Sequence, residues 1–359
     1  MHKHLTRLAT GLALLTALSA QAQVGLATLP VQGRPLTLVY PTASTARAVE
    51  FGPFRLDVAP DAPLSPGQHR LIVMSHGTGG SATADHALAA ALARAGFVVA
   101  QVEHEGDNFR DHRLSGPDSF RRRPAEAVQA IDALAADPKW SKQLDLSRVG
   151  VHGMSAGGVT ALSLAGGQWS MLALVRHCGA HLDEDPGFCL QGAVTPEQKA
   201  ERAKRFEAAK GVPDAYLPAD LRALQGGRTP TTDQPEPRPD PRIAAVTLAV
   251  PVAAIFTPES LARIRVPVGI VATQNDRVLL PRFHSGQVLA NCSTCRLLTE
   301  LPGAGHFDLL RPWPEAVARE VAAGQVRGGD VTPGLDPALL TQAHDRIVAF
   351  HRQHLMTQP

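Results

Sequence analysis

The chain has 359 residues, 44% of them hydrophobic, which is ample for one large buried core, and its formal charge is only +2. So small a net charge, together with 4% aromatic residues, excludes the basic, base-stacking surface that a nucleic-acid binder needs. Length alone allows two domains, but one large α/β sheet accommodates such a chain as a single unit.

The first residues read as a processing segment rather than as fold. His2, Lys3, His4 and Arg7 form a positive start, Leu8 to Leu18 is apolar, and Ala20, Gln21 and Ala22 supply a small-x-small cleavage site. Residues 1–22 are therefore expected to be a signal peptide and 23–359 one exported domain, periplasmic or secreted. An apolar run of roughly 11 residues is too short for a bilayer, which needs about 20, so no stable membrane insertion is expected.

From Leu36 onward the elements follow in order. Leu36 to Tyr40 and Phe54 to Val58 predict short antiparallel edge strands, punctuated by Pro41, Pro53 and Pro60. Leu71 to Met74 is a fully apolar run of the kind found in buried parallel strands. It ends in Ser75, His76, Gly77, Thr78, Gly79 and Gly80. A helix over Ala82 to Ala95, stopped by Gly96, and a strand over Phe97 to Val102 complete one βαβ unit. Pro124 is expected in the first turn of a helix running over Ala125 to Ala136, which places Arg121, Arg122 and Arg123 on a solvated helix start, with a contact to an anionic substrate group as the alternative.

The next strand, Val149 to Val151, runs into Gly153, Met154, Ser155, Ala156 and Gly157, and a helical stretch follows at once. Gly-x-Ser-x-Gly between strand and helix is a nucleophile elbow: the tight turn lifts the serine hydroxyl above the sheet and aims helix N–H groups beside it. Arg176 to Pro241 breaks the rhythm and reads as an insertion, with a charged helical piece at Glu197 to Ala209 and a Pro-rich run at Thr229 to Pro241. Strands at Ile243 to Leu248, Val266 to Ala272 and Arg296 to Leu301, and a helix from Pro337 to His351, then close the chain.

A serine hydroxyl needs a base, and the base needs an orienting acid, both delivered by loops at the carboxyl ends of strands. Asp276 lies just past one such strand, and His306 lies in the small-residue loop Pro302 to His306 after the next. We assign Ser155 as nucleophile, His306 as general base and then acid, and Asp276 as the group that fixes the His306 tautomer. Asp308 and Glu300 are the alternatives for the acid. His104, His112 and His152 read as structural or substrate-side groups, with His152 packed beside the elbow. The backbone N–H groups of Thr78 and Ala156 are the expected oxyanion donors. The glycine loop carries neither a Walker lysine nor a spaced G-x-G-x-x-G, so no nucleotide or other cofactor is expected.

In an exported chain four cysteines point to disulfides, most simply Cys178 with Cys189 and Cys292 with Cys295; a zinc site at Cys292-x-x-Cys295 is the competing reading.

With these residues in hand, the chain resembles the α/β hydrolases related to plasma platelet-activating-factor acetylhydrolase, a family often labelled predicted dienelactone hydrolases. The matching pieces are Leu38 to Pro41, Ser75 to Gly80 (SHGTGG), His104 to Asp111 (HEGDNFRD), Gly153 to Gly158 (GMSAGG), Asp276, and Gly303 to Leu309 (GAGHFDL). The resemblance implies an α/β-hydrolase fold, a mostly parallel sheet with helices on both faces, and cofactor-free hydrolysis of carboxylic esters through an acyl-enzyme on Ser155. It also supports Thr78 and Ala156 as oxyanion donors. Dienelactone hydrolases proper use a cysteine where this chain has Ser155. The expected substrate is a small-molecule or polymeric ester; an amidase, thioesterase or phospholipid acyl hydrolase on the same residues, or a catalytically inert binding protein, are the alternatives.

Overall fold

The computed structural model describes residues 23–191, 193, 195–209, 239–323 and 331–356. The expected signal peptide and most of the Pro-rich run lie outside them. Ten strands form one sheet: β1 (Gln23–Val31), β2 (Arg34–Thr42), β3 (Arg47–Phe51), β4 (Phe54–Pro60), β5 (His69–Ser75), β6 (Val98–Val102), β7 (Leu144–Met154), β8 (Ile243–Ala249), β9 (Val268–Thr273) and β10 (Cys295–Leu301). Their spatial order is β10-β9-β8-β7-β5-β6-β2-β1-β4-β3. From β5 to β10 every neighbouring pair is parallel, and β2 joins this block antiparallel to β6.

The helices are α1 (His86–Arg94), α2 (Pro117–Ala136), α3 (Gly157–Leu164), α4 (Met171–His181), α5 (Pro186–Cys189), α6 (Pro196–Ala209), α7 (Pro258–Leu261), α8 (Ser285–Asn291), α9 (Glu315–Ala322) and α10 (Pro337–His351). Because side chains alternate across a strand, the apolar run of β5 serves two cores. Leu71 and Val73 pack with Ile131 and Leu134 of α2 and Val159 and Leu162 of α3. Ile72 and Met74 pack on the opposite face with Leu88 and Leu92 of α1 and Ile347 and Phe350 of α10. The chain leaves β5 for β6 on one side and later returns to β7 on the other, so a crevice opens at their carboxyl ends, where such sheets place their sites.

Several expectations change. The Leu36 to Tyr40 segment is not an edge strand: β1 pairs with β2 along its whole length and β6 covers the other side. The edge is β3, a short strand rich in charge, which suits a strand with one row of unpaired backbone groups. Neither β1 nor β3 is visible in the sequence pattern, since Gly25 and Pro30 interrupt the first and the second is only five residues long. Helix α2 starts at Pro117, after Gly116 at φ 96°, and Pro124 sits inside it. The earlier Gly-Pro pair gives the stronger start, because it joins a left-handed turn to a residue preset for helical φ. The departure from α/β rhythm begins at Met171, where the Ser170 side chain caps α4 by accepting from the Ala173 N–H.

Candidate active site

Ser155 stands at the tip of the turn between β7 and α3 with φ at 54°, a left-handed conformation that costs a side chain strain. Surrounding hydrogen bonds hold it there. Its N–H donates to the Ala249 carbonyl at 3.0 Å, and its own carbonyl accepts from Gly158 N at 2.8 Å and Val252 N at 2.9 Å. The flanking glycines are steric requirements: a Cβ on Gly153 would overlap the Gly157 carbonyl, and one on Gly157 would overlap that of Ser75.

Parallel neighbours β9 and β10 bring Asp276 and His306 to the same edge. Their loops are joined by Gln274 N to Leu301 O at 3.1 Å and Asn275 N to Ala304 O at 2.9 Å. Asp276 Oδ1 accepts from the N–H groups of Val278 and Leu279 at 2.9 and 2.7 Å, which turns Oδ2 toward His306. His306 Nδ1 lies 2.7 Å from that oxygen, and its Nε2 lies 2.9 Å from Ser155 Oγ. An ionised carboxylate only accepts, so Nδ1 carries the proton and Nε2 accepts from the serine hydroxyl. Such a line can relieve the hydroxyl of its proton during attack on a carbonyl. Asp308 does something else: its carboxylate accepts from Gly305 N at 2.7 Å and Thr332 N at 2.9 Å, shaping the His306 loop.

Thr78 lies on the wall of the cleft that contains Ser155, and Ala156 is buried directly after it. Gly77 abuts the serine, since a Cβ built there would lie 3.2 Å from Ser155 Cβ. Neither the Thr78 nor the Ala156 N–H is taken up by a hydrogen bond among the described residues.

The arginine run departs from its expected role. Arg122 meets Glu105 at 2.8 Å and Arg121 lies over the Trp169 ring, but Arg123 is fully buried and not solvated at all. The reason is the earlier start of α2, which turns position 123 inward, one turn beyond Ser119 on the same face. Its charge is balanced by buried Asp107, 2.8 Å away. Burial pushes the Asp107 carboxyl up, but Arg123 and hydrogen bonds from Ser119, Gly79 and Ser115 outweigh it and hold the group at about 2.

His104 is structural, between Ser75 Oγ at 2.7 Å and Glu126 Oε2 at 2.6 Å. His152 does lie beside the elbow, in the cleft wall, with Nδ1 2.9 Å from Thr247 Oγ1. His112 also lines the cleft, next to Gly79.

The four cysteines form two disulfides, Cys178–Cys189 and Cys292–Cys295, which removes the zinc reading of the second pair. The first ties α4 to α5 within the insertion. A nearby cluster of His177, Asp185 and His284 has the residue types of a metal site. Its hydrogen bonds argue against that use. His284 Nδ1 accepts from Ala253 N at 3.1 Å, so Nε2 carries the ring proton and donates to Asp185. A cation would need that nitrogen bare. The cluster instead clasps α4 and α5 to the segment that follows Asp276.

The fold is that of an α/β hydrolase. Residues 35–128 match the family model described as platelet-activating factor acetylhydrolase, isoform II, and over that stretch the chain is similar to this family of α/β-hydrolase-type serine esterases. The matched stretch contains the 75–80 loop, Asp107 and Arg123 and ends before Ser155. No curated protein matches the chain. Among the described residues no helix is long and apolar enough to cross a membrane.

Proposed function

We propose that the protein is an exported serine esterase acting on small or medium acyl esters, aliphatic polyesters among them. The observation that carries this reading is the unbroken line Asp276–His306–Ser155 facing a cleft of about 1790 Å³. Part of the cleft wall is apolar, with Met171, Leu174, Val175 and Phe188 from the insertion and Phe307 and Trp313 opposite, which suits an acyl chain better than a charged group.

In this mechanism Ser155 Oγ attacks the ester carbonyl carbon while its proton passes to His306 Nε2. The N–H groups of Thr78 and Ala156 stabilise the oxyanion of the tetrahedral intermediate. Collapse breaks the bond to the alcohol oxygen, which leaves with the proton from His306. Water then attacks the acyl-enzyme, gives a proton to the same nitrogen, and the acid departs as Ser155 regains its hydrogen. Asp276 keeps the imidazole in the required tautomer and stabilises its charged form.

Processing near Gln23 and export belong to the same proposal. They are supported by the charged start, apolar run and small-x-small site, and two disulfides suit an oxidising compartment. Hydrolysis of p-nitrophenyl esters from acetate to palmitate tests the enzymatic claim. Turnover by the parent protein that vanishes in Ser155→Ala is expected; a folded protein inactive on every ester would overturn it.

A further inference from the structure

We infer that Arg123 and Asp107 are positioning residues for the oxyanion-binding loop, acting on the backbone at 76–79 rather than on substrate. This rests on ester hydrolysis at Ser155. Arg123 Nη1 donates to the His76 carbonyl, Nη2 donates to the Gly77 carbonyl at 3.3 Å, and Nε donates to Ser119 Oγ at 2.7 Å. Both carbonyls therefore point at one guanidinium. In a trans peptide the C=O and the following N–H point in opposite directions, so the N–H groups of Gly77 and Thr78 are turned away from Arg123. That side is the cleft: Gly77 abuts Ser155 and Thr78 lines the wall.

Asp107 completes the clamp from the other end of the loop. One carboxylate oxygen accepts from Gly79 N at 2.9 Å and Ser115 Oγ at 2.8 Å; the other accepts from Ser119 Oγ at 2.6 Å and Arg123 Nη2 at 2.8 Å. The loop is thus gripped at three successive peptide units by one buried ion pair. Ordinary packing needs no buried charge here, since a charge in the interior is costly unless fully paired. A planar guanidinium holds both carbonyls, Ser119 and Asp107 in one fixed fork, a geometry that the compact, rotatable ammonium of lysine does not reproduce. The positive charge behind the loop also polarises those peptides in the direction that strengthens their N–H donors toward an oxyanion.

The test is steady-state hydrolysis of p-nitrophenyl butyrate by the full-length protein and Arg123→Lys, with active serines counted by fluorophosphonate titration. Per titrated serine, kcat should fall about 100-fold, the scale of a lost oxyanion donor, with KM within about threefold. Affinity for a trifluoromethyl ketone, which adds Ser155 to form an oxyanion, should fall by a similar factor. A merely structural role would lower the titratable fraction and the Tm but leave kcat per titrated serine unchanged, and that result overturns the inference. Should Arg123→Lys fail to fold, Ser119→Ala removes the brace on Nε and one hydrogen bond to Asp107 while leaving the Arg123–Asp107 pair in place. It should lower kcat about tenfold at unchanged KM, and an unaltered kcat again overturns the claim. A parent protein that neither turns over nor titrates would overturn esterase function itself, and this role with it; an active parent with an unaffected variant overturns this role alone.

Discussion

Two serine–histidine–carboxylate lines run through the described residues. In one, Ser155 meets His306 at 2.9 Å and His306 meets Asp276 at 2.7 Å; in the other, Ser75 meets His104 at 2.7 Å and His104 meets Glu126 at 2.6 Å. The distances do not separate them; the surroundings do. Ser75 belongs to β5, whose backbone is paired with β6 and β7 on either side, and it is buried inside the sheet rather than raised on a turn. Its hydroxyl also has a second partner, Thr160 Oγ1 at 3.0 Å. Burial and the nearby charge of Arg123 hold His104 well below the ordinary histidine range, and an imidazole that resists protonation makes a poor base. Ser155 instead sits on a strained turn, followed by an Ala156 N–H that takes no hydrogen bond among the described residues. The lesson is that backbone strain and unspent N–H groups, more than residue type, give such a line its chemical potential.

That contrast can be broken most directly by exchanging the serines. Ser155→Ala should lower kcat on esters by about 10⁴-fold or more. Ser75→Ala should leave kcat within a small factor and cost about 1–3 kcal/mol of stability, read from urea midpoints, because His104 loses a buried partner. Loss of turnover in a folded Ser75→Ala protein would defeat the distinction. One step along the line, Asp276→Asn should cost about 10⁴-fold in kcat, since an amide N–H facing Nδ1 enforces the wrong tautomer. Glu126→Gln should be felt in stability rather than in kcat.

Smaller effects sharpen the contrast between sheet edge and insertion. The Cys178–Cys189 bridge spans 11 residues and Cys292–Cys295 spans 3. Replacing the first pair by serines should cost about 3 kcal/mol and the second about 1.5, measured by denaturant unfolding. The smallest expected effect concerns His351, buried under β8 beside Thr247 and pushed down to about 3 by burial and then by the charges of His152 and His354. The unfolded chain binds this proton below about pH 6.5 and the folded chain only near 3, so this contribution to stability is present above pH 6.5 and is lost as pH falls. His351→Gln should reduce the acid sensitivity of unfolding by on the order of 1 kcal/mol between about pH 6.5 and 5.5; an unchanged slope would show that His351 is not buried neutral.

The parts legible in the sequence are those fixed by strand ends. Ser155, Asp276 and His306 each lie just past the carboxyl end of a strand that the sequence predicts, so position along the strand predicts the edge where they meet. Arg123 was not legible. Its burial depends on a helix that starts at Pro117 rather than at Pro124, and on a partner sixteen residues earlier in an irregular loop. No periodicity encodes such a pairing. The Ser75–His104–Glu126 line is hidden from the sequence for the same reason, since its members come from β5, the loop after β6 and α2. Within the insertion, the disulfide was readable from cysteine count and spacing. The His177–Asp185–His284 clasp, which spans 99 residues between Asp185 and His284, was not.

The most direct test is to treat the folded protein with a fluorophosphonate and locate the adduct by peptide mass spectrometry. A single modified residue is expected, Ser155, with Ser75 untouched and labelling abolished by Ser155→Ala. Adduct on Ser75, or a folded protein that remains unmodified, would contradict it.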